Sequence, residues 1–227
     1  MPTSVSYTHL RAHETGRKEI KSLQDLNVYK FVPWSTVPPG QKVIGTKWVS
    51  KVKANQTYKA RLVAQGWKQV PGQDCGSTFA PVCRLQSVRM VLAIAAEMDW
   101  EVRQLDVKPA FLYADIEEEV FVAEPPGFET NDKEKGLLVM KLGKSLYGLA
   151  QCPGNWFHTI DPVLISIGCA PLKSDTCIYS AIEGGLLSPL CAQSAQHGSH
   201  PDNAGNQKSN INPVRSLLRR RKVFSRF

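Results

Sequence analysis

Hydrophobic and polar positions along the chain fall into blocks of different period. In "KVIGTKWVSKVK", residues 42–53, side chains alternate, with Ile44, Trp48 and Val52 on one face and Lys47, Lys51 and Lys53 on the other. Beyond Ala54-Asn55-Gln56 the alternation resumes: Tyr58, Ala60 and Leu62 share a face, with Lys59 and Arg61 opposite. Two alternating runs around a short polar link predict a β-hairpin with one basic face. An ordinary amphipathic hairpin that shows its lysines to water satisfies the same pattern.

The period then changes. "RLQSVRMVLAIAAEMDW" places Val88, Leu92, Ala95 and Met98 at helical spacing, with Ser87 as N-cap. A strand follows that carries Asp106 between Leu105 and Val107. Either it ends on an exposed acid or it presents a carboxylate to a metal-bound phosphate. An acidic helix or turn is expected over 112–119, its acids forming a solvated face, then strands at Val120–Ala123 and "LLVMKL". An apolar helix carries Trp156, Ile160, Val163 and Ile167; Pro162 interrupts it unless Asp161 caps a second helix there. Strands mixed with helices, without a βαβ rhythm, predict an α+β fold.

The ends differ in character. "SYTHLRAHET" reads as translated adaptor sequence, so residues 1–23 are expected to be an unstructured leader that need not be native. Residues 181–227, low in apolar side chains and rich in Ser, Asn and Gln, are expected to be a disordered, unrelated tail. Residues 24–180 remain as the folded domain.

Composition narrows the function classes. A chain of 227 residues with 42% hydrophobic content can bury a core, and no apolar run approaches membrane-spanning length. Neither a membrane role nor secretion is indicated, and a cytoplasmic or nuclear location is expected. The six cysteines form no C-x-x-C pair, which favours free buried thiols in a reducing compartment. Charge is segregated: residues 42–68 hold seven Lys/Arg and no acid, whereas 115–134 hold eight acids against Lys133. Such a lobe of one sign fits a bound polyanion.

Six stretches now stand in order: "VIGTKWVSKVK", "YKARLVAQGW", "TFAPVCRLQSVRMVLAIAAE", "QLDVKPAFLYADIEEEVFVAEPPGFE", "KLGKSLYGLAQCPGNWF" and "SIGCAPLKSDTCIY". Together they resemble the reverse transcriptase domain of copia-type LTR retrotransposons, a segment of a Pol polyprotein. The resemblance implies a fingers–palm fold and RNA-directed DNA polymerisation on an RNA or DNA primer–template with dNTPs. Other Pol segments are implied as partners. It also implies Mg²⁺, since phosphoryl transfer of this kind uses paired divalent ions held by carboxylates. By resemblance Asp106 is the catalytic, metal-binding acid. Lys59 and Arg61 meet the triphosphate, and Phe111 lies against the sugar. Gln151 contacts the nucleotide, and Tyr147 and Gly148 line the template pocket.

The chain departs from the family pattern in several places. A Tyr-x-Asp-Asp motif should follow, yet no two aspartates are adjacent anywhere. Pro109 stands where Asn is usual, and Ala150 and Gly154-Asn155 stand where Lys and Arg-Ala are usual. These departures predict an incomplete palm sheet and a chain that does not polymerise by itself. The alternative is a non-catalytic nucleic-acid binder that uses the basic hairpin.

Overall fold

In the computed structural model, residues 4–54, 56–102, 107, 109–130, 137–183 and 186–191 are described. They mix helices and strands, an α+β architecture, in two compact units. Residues 1–78 and 114–152 form one unit, and residues 79–113 and 153–227 the other.

The first unit begins with a helix, α1 (Ser4–Asp25), where an unstructured leader was expected. Its second half explains the difference: Gly16 and Leu23 are buried and Ile20 half-buried, a helical stripe set among polar residues. Gly16 faces a ring, since a Cβ there would come within 3.1 Å of Phe128 Cζ. A four-stranded sheet follows, in the order β1 (Tyr29–Pro33), β6 (Leu138–Leu142), β5 (Phe121–Val122), β2 (Val43–Ile44). Strand β2 runs parallel to β5, and the other pairs are antiparallel. Phe121, Val122, Val139 and Met140 are buried in it.

The predicted hairpin is present as β3 (Thr46–Val52) and β4 (Tyr58–Ala64), paired from Thr46↔Ala64 to Val52↔Tyr58. Ala60, Leu62 and Ala64 are buried on the face expected from the alternation. Ile44 is a correction. It pairs with Val122 in β2, in the other sheet, because the chain changes partners at Gly45. The acidic stretch forms no helix after the 3-10 turn Ala110–Tyr113. Its carboxylates are tied down instead: Glu118 Oε1 accepts from Gly76 N at 3.1 Å, and Glu119 takes the Lys141 ammonium.

The second unit holds α2 (Leu85–Glu97), α3 (Cys152–Ser166, entering from the first unit) and an antiparallel sheet in the order β7 (Cys169–Pro171), β8 (Ile178–Glu183), β9 (Leu186–Cys191). Strand β9 thus carries regular structure past residue 181, into the expected tail; residues 192–227 lie outside the described set.

Helix α2 forms as predicted but buries Val91 and Ala95 with Val88 half-buried, not Leu92 and Met98. These pack with Cys83, Cys177, Ile178, Phe157 and Leu172. Its N-terminus is not capped by Ser87. Asp175 Oδ2 accepts from the N–H of Arg84, the N-cap residue, at 3.0 Å. Helix α3 continues through Pro162, and Asp161 starts no second helix: its carboxylate accepts the Tyr179 hydroxyl at 2.5 Å. Cys75, Cys83, Cys152, Cys169 and Cys177 are buried and form no disulfide, as the cysteine pattern predicts. No described helix is long and apolar enough to cross a membrane.

Candidate nucleic-acid interface

The alternation of the hairpin decides where its charges stand. Lys47, Val49 and Lys51 of β3 oppose Val63, Arg61 and Lys59 of β4 across one face. Lys51 is directly opposite Lys59. Like charges at that position destabilise an antiparallel pair, so the arrangement is an electrostatic cost unless an anion offsets it.

The loop of residues 143–151 docks on the end of this hairpin. Ala64 N donates to Tyr147 O at 2.8 Å, and the Arg61 guanidinium lies 4.8 Å from the centre of the Tyr147 ring. A guanidinium over an aromatic ring gains cation–π attraction, and its N–H groups can still donate. Gly148 has φ +91°, and a Cβ there would stand 2.3 Å from Ala64 O and 2.5 Å from Val63 Cγ1. Gly66 is equally confined, 2.0 Å from Gly148 O by the same construction. Only glycines allow this approach of the two backbones.

Gln69 locks the junction. Its Oε1 accepts from Ala150 N at 2.9 Å, and its Nε2 donates to Gln151 Oε1 at 3.1 Å and to Asp74 O at 3.2 Å. Gln151 is fully buried, and its Nε2 finds no hydrogen-bond partner among the described residues. Cys152 next to it donates its thiol to Leu146 O, and burial pushes its pKa up to about 12, so it stays protonated and packed.

Glu19 of α1 lies near the same strand. Burial raises its carboxyl above the usual range, while Arg61, Lys59 and the N–H of Leu62 pull it back. An acid from outside the hairpin therefore partly offsets the cations.

Of the residues singled out in the sequence, the first unit brings together Lys59, Arg61, Tyr147, Gly148 and Gln151. Phe111, half-buried in the 3-10 turn Ala110–Tyr113, belongs to the second unit. Asp106 lies outside the described residues. Sequence reasoning missed Gln69 and Gly66. Their roles depend on contacts with 147–151 and leave no trace in spacing.

Residues 26–188 match the family model for reverse transcriptase (RNA-dependent DNA polymerase). That span is well over half of the chain. The chain belongs to the reverse transcriptase family. It is 42% identical over 168 residues to a retrovirus-related Pol polyprotein from transposon TNT 1-94 of Nicotiana tabacum, covering 72% of this chain and 12% of that protein. Similar matches are the Pol polyproteins from transposons RE1 and RE2 of Arabidopsis thaliana, 40% and 39% identical, each covering 64% of this chain and 10% of the relative. These relatives bear out the family reading made from the six collinear stretches. The chain spans about a tenth of their length. No solved structure matches.

Reverse transcriptases generally use divalent metal ions. Among the described residues no three His, Cys, Asp or Glu side chains converge to hold a metal. The sequence contains no two adjacent aspartates.

Proposed function

We propose that this chain supplies the nucleotide- and template-facing part of an RNA-directed DNA polymerase of fingers–palm type, and that these residues alone bind nucleic acid without extending a primer. The observation that carries this reading is the one-signed hairpin face joined to the Tyr147–Gln151 loop. Lys59 and Arg61 are suited to a triphosphate, whose dense charge favours guanidinium and ammonium donors. Tyr147 and Gly148 lie at the base of that face, suited to lining a template pocket. Gln151, being buried, serves the site by holding Gln69 and the turn that follows β4, rather than by touching a nucleotide in this conformation. Phe111 would lie against the sugar, and Asp106 would be a metal-binding acid, with Mg²⁺ as the expected ion. Further carboxylates are needed to balance paired divalent charges, and other Pol segments are the expected source. RNA or DNA primer–template and dNTPs are the expected ligands.

Primer extension on poly(A)/oligo(dT) with Mg²⁺ or Mn²⁺ tests the catalytic half. No extension is expected from the 227-residue chain; extension that disappears in Asp106→Ala overturns the reading. The binding half predicts affinity for the same primer–template that falls linearly in log–log salt, and that weakens in Lys59→Gln and Arg61→Gln.

A further inference from the structure

The hairpin carries one tryptophan that the fold packs against Phe128 and another, just beyond it, that the fold leaves largely exposed. Trp48 donates its indole N–H to Pro126 O at 2.9 Å, and its ring meets Phe128 edge-on with centroids 5.6 Å apart. Trp67 stands in the 3-10 turn Gly66–Lys68 and is 65% exposed. A large aromatic held in water forgoes the stabilisation that burial would bring.

Its surroundings are cationic. Lys47 Nζ lies 4.5 Å from the Trp67 ring centre. Lys42 Nζ donates to the carbonyl of the adjacent Lys68 at 2.5 Å, which brings a second ammonium to the turn. Lys47 is also the end of the basic hairpin face that continues through Lys51, Lys59 and Arg61.

The turn is firmly placed. Lys68 N donates to Gln65 O at 3.0 Å and Gln69 N to Gly66 O at 2.9 Å, while Gly66 abuts Gly148 O and Gln69 is locked to Ala150 and Gln151. An exposed indole on a fixed turn, at the end of a row of cations, has the two parts that single-stranded nucleic acid requires. The cations follow the phosphates, and the ring offers a π-face to a base.

We propose that Trp67 is a stacking platform for an unpaired base, so that this face takes single-stranded nucleic acid in preference to duplex. The proposal rests on the nucleic-acid reading above and adds to it the strandedness of the ligand and the residue that senses it. A duplex already stacks its bases on one another, which leaves Trp67 nothing to contact and only the phosphate attraction in play.

Fluorescence anisotropy of the full chain with three labelled probes tests it: a (dT)15 strand, an abasic strand of equal length, and a closed dumbbell duplex without ends. Trp67→Ala is expected to weaken (dT)15 binding by about 5- to 160-fold, the range of one lost base–aromatic stack. Binding of the abasic strand and the dumbbell should change by less than about threefold, because their contacts are to phosphate. Trp67→Phe keeps an aromatic face and should restore most of the (dT)15 affinity. Because Trp67 contributes little to the core, the variants are expected to fold, and circular dichroism checks it. Equal weakening on (dT)15 and the abasic strand, or no weakening on either, overturns the stacking proposal while the nucleic-acid reading stands. Failure of the unsubstituted chain to bind any probe overturns both.

Discussion

The second unit and the β3–β4 hairpin of the first treat their polar side chains in opposite ways. In the second, acids are consumed by the fold. Asp175 accepts from the N–H groups of Arg84 and Cys177, at 3.0 and 3.1 Å, and Asp161 accepts the Tyr179 hydroxyl. In the first, the β3–β4 hairpin lines up Lys47, Lys51, Lys59 and Arg61 on one face with no acid of its own among them. Glu19, which interacts with Arg61 and Lys59, comes from α1. Polar groups spent on structure find protein partners nearby; groups kept for a ligand are held in an arrangement that costs something without it. That difference, more than total charge, is what the proposed binding face rests on.

The largest expected effect comes from breaking the junction that shapes the binding face. Gly148→Ala places a Cβ against Ala64 O at a backbone φ of +91°. It should destabilise the protein by about 2–4 kcal/mol. Chemical denaturation would read this as a lower midpoint, and nucleic-acid affinity should fall with it. An unchanged midpoint would mean that the two backbones can separate without loss.

An intermediate effect probes the second unit. Burial tends to raise the pKa of Asp175, but the N–H of Arg84, the Ser87 hydroxyl, the N–H of Cys177 and the charge of Arg84 outweigh it, so the carboxyl sits below its usual value. A depressed carboxylate contributes stability that is full above its unfolded pKa and is lost as pH falls through its folded pKa. Asp175→Ala should therefore cost about 1–2 kcal/mol at pH 7, the range for a lost helix cap. The difference from the parent should shrink on acidification below about pH 4. Nucleic-acid binding should be unaffected wherever the protein is folded. A pH series of denaturation midpoints checks the sign.

The smallest effect in stability is the sharpest in meaning. Lys51→Gln removes the ammonium facing Lys59. Relief of that repulsion should stabilise the fold by about 0.2–1 kcal/mol. Binding of primer–template should weaken, with its log–log salt slope reduced by about 0.7–0.9. Stability that rises while affinity falls is the signature of a face kept for an anion. Should both fall, Lys51 is a structural residue and the contrast between the units fails at that position.

Much of this was legible in the residues themselves. Period-two alternation is a local property of a strand, so the hairpin, its inward Ala60 and Leu62 and its basic face could be read directly. The six family stretches identified the lineage, since motif order survives without any knowledge of packing. Local pattern also located α2, but not the side of it that is buried. Val91 is chosen over Leu92 by where Cys83, Cys177 and Ile178 lie, and the last two come from a distant part of the chain.

Tertiary structure alone decided how the candidate site is held. Ile44 left the hairpin for another sheet because Val122 was there to pair with it. Asp175 displaced Ser87 as the acceptor at the α2 N-terminus, and α1 became a helix by burying a sparse stripe that includes Gly16 and Leu23. The close approach of Gly66 and Gly148, the burial of Gln151 and the stacking of Arg61 on Tyr147 join segments about 80 residues apart. Periodicity and motif are short-range and readable along the chain, whereas a contact between remote segments is fixed by the sum of packing and hydrogen bonding across the folded unit.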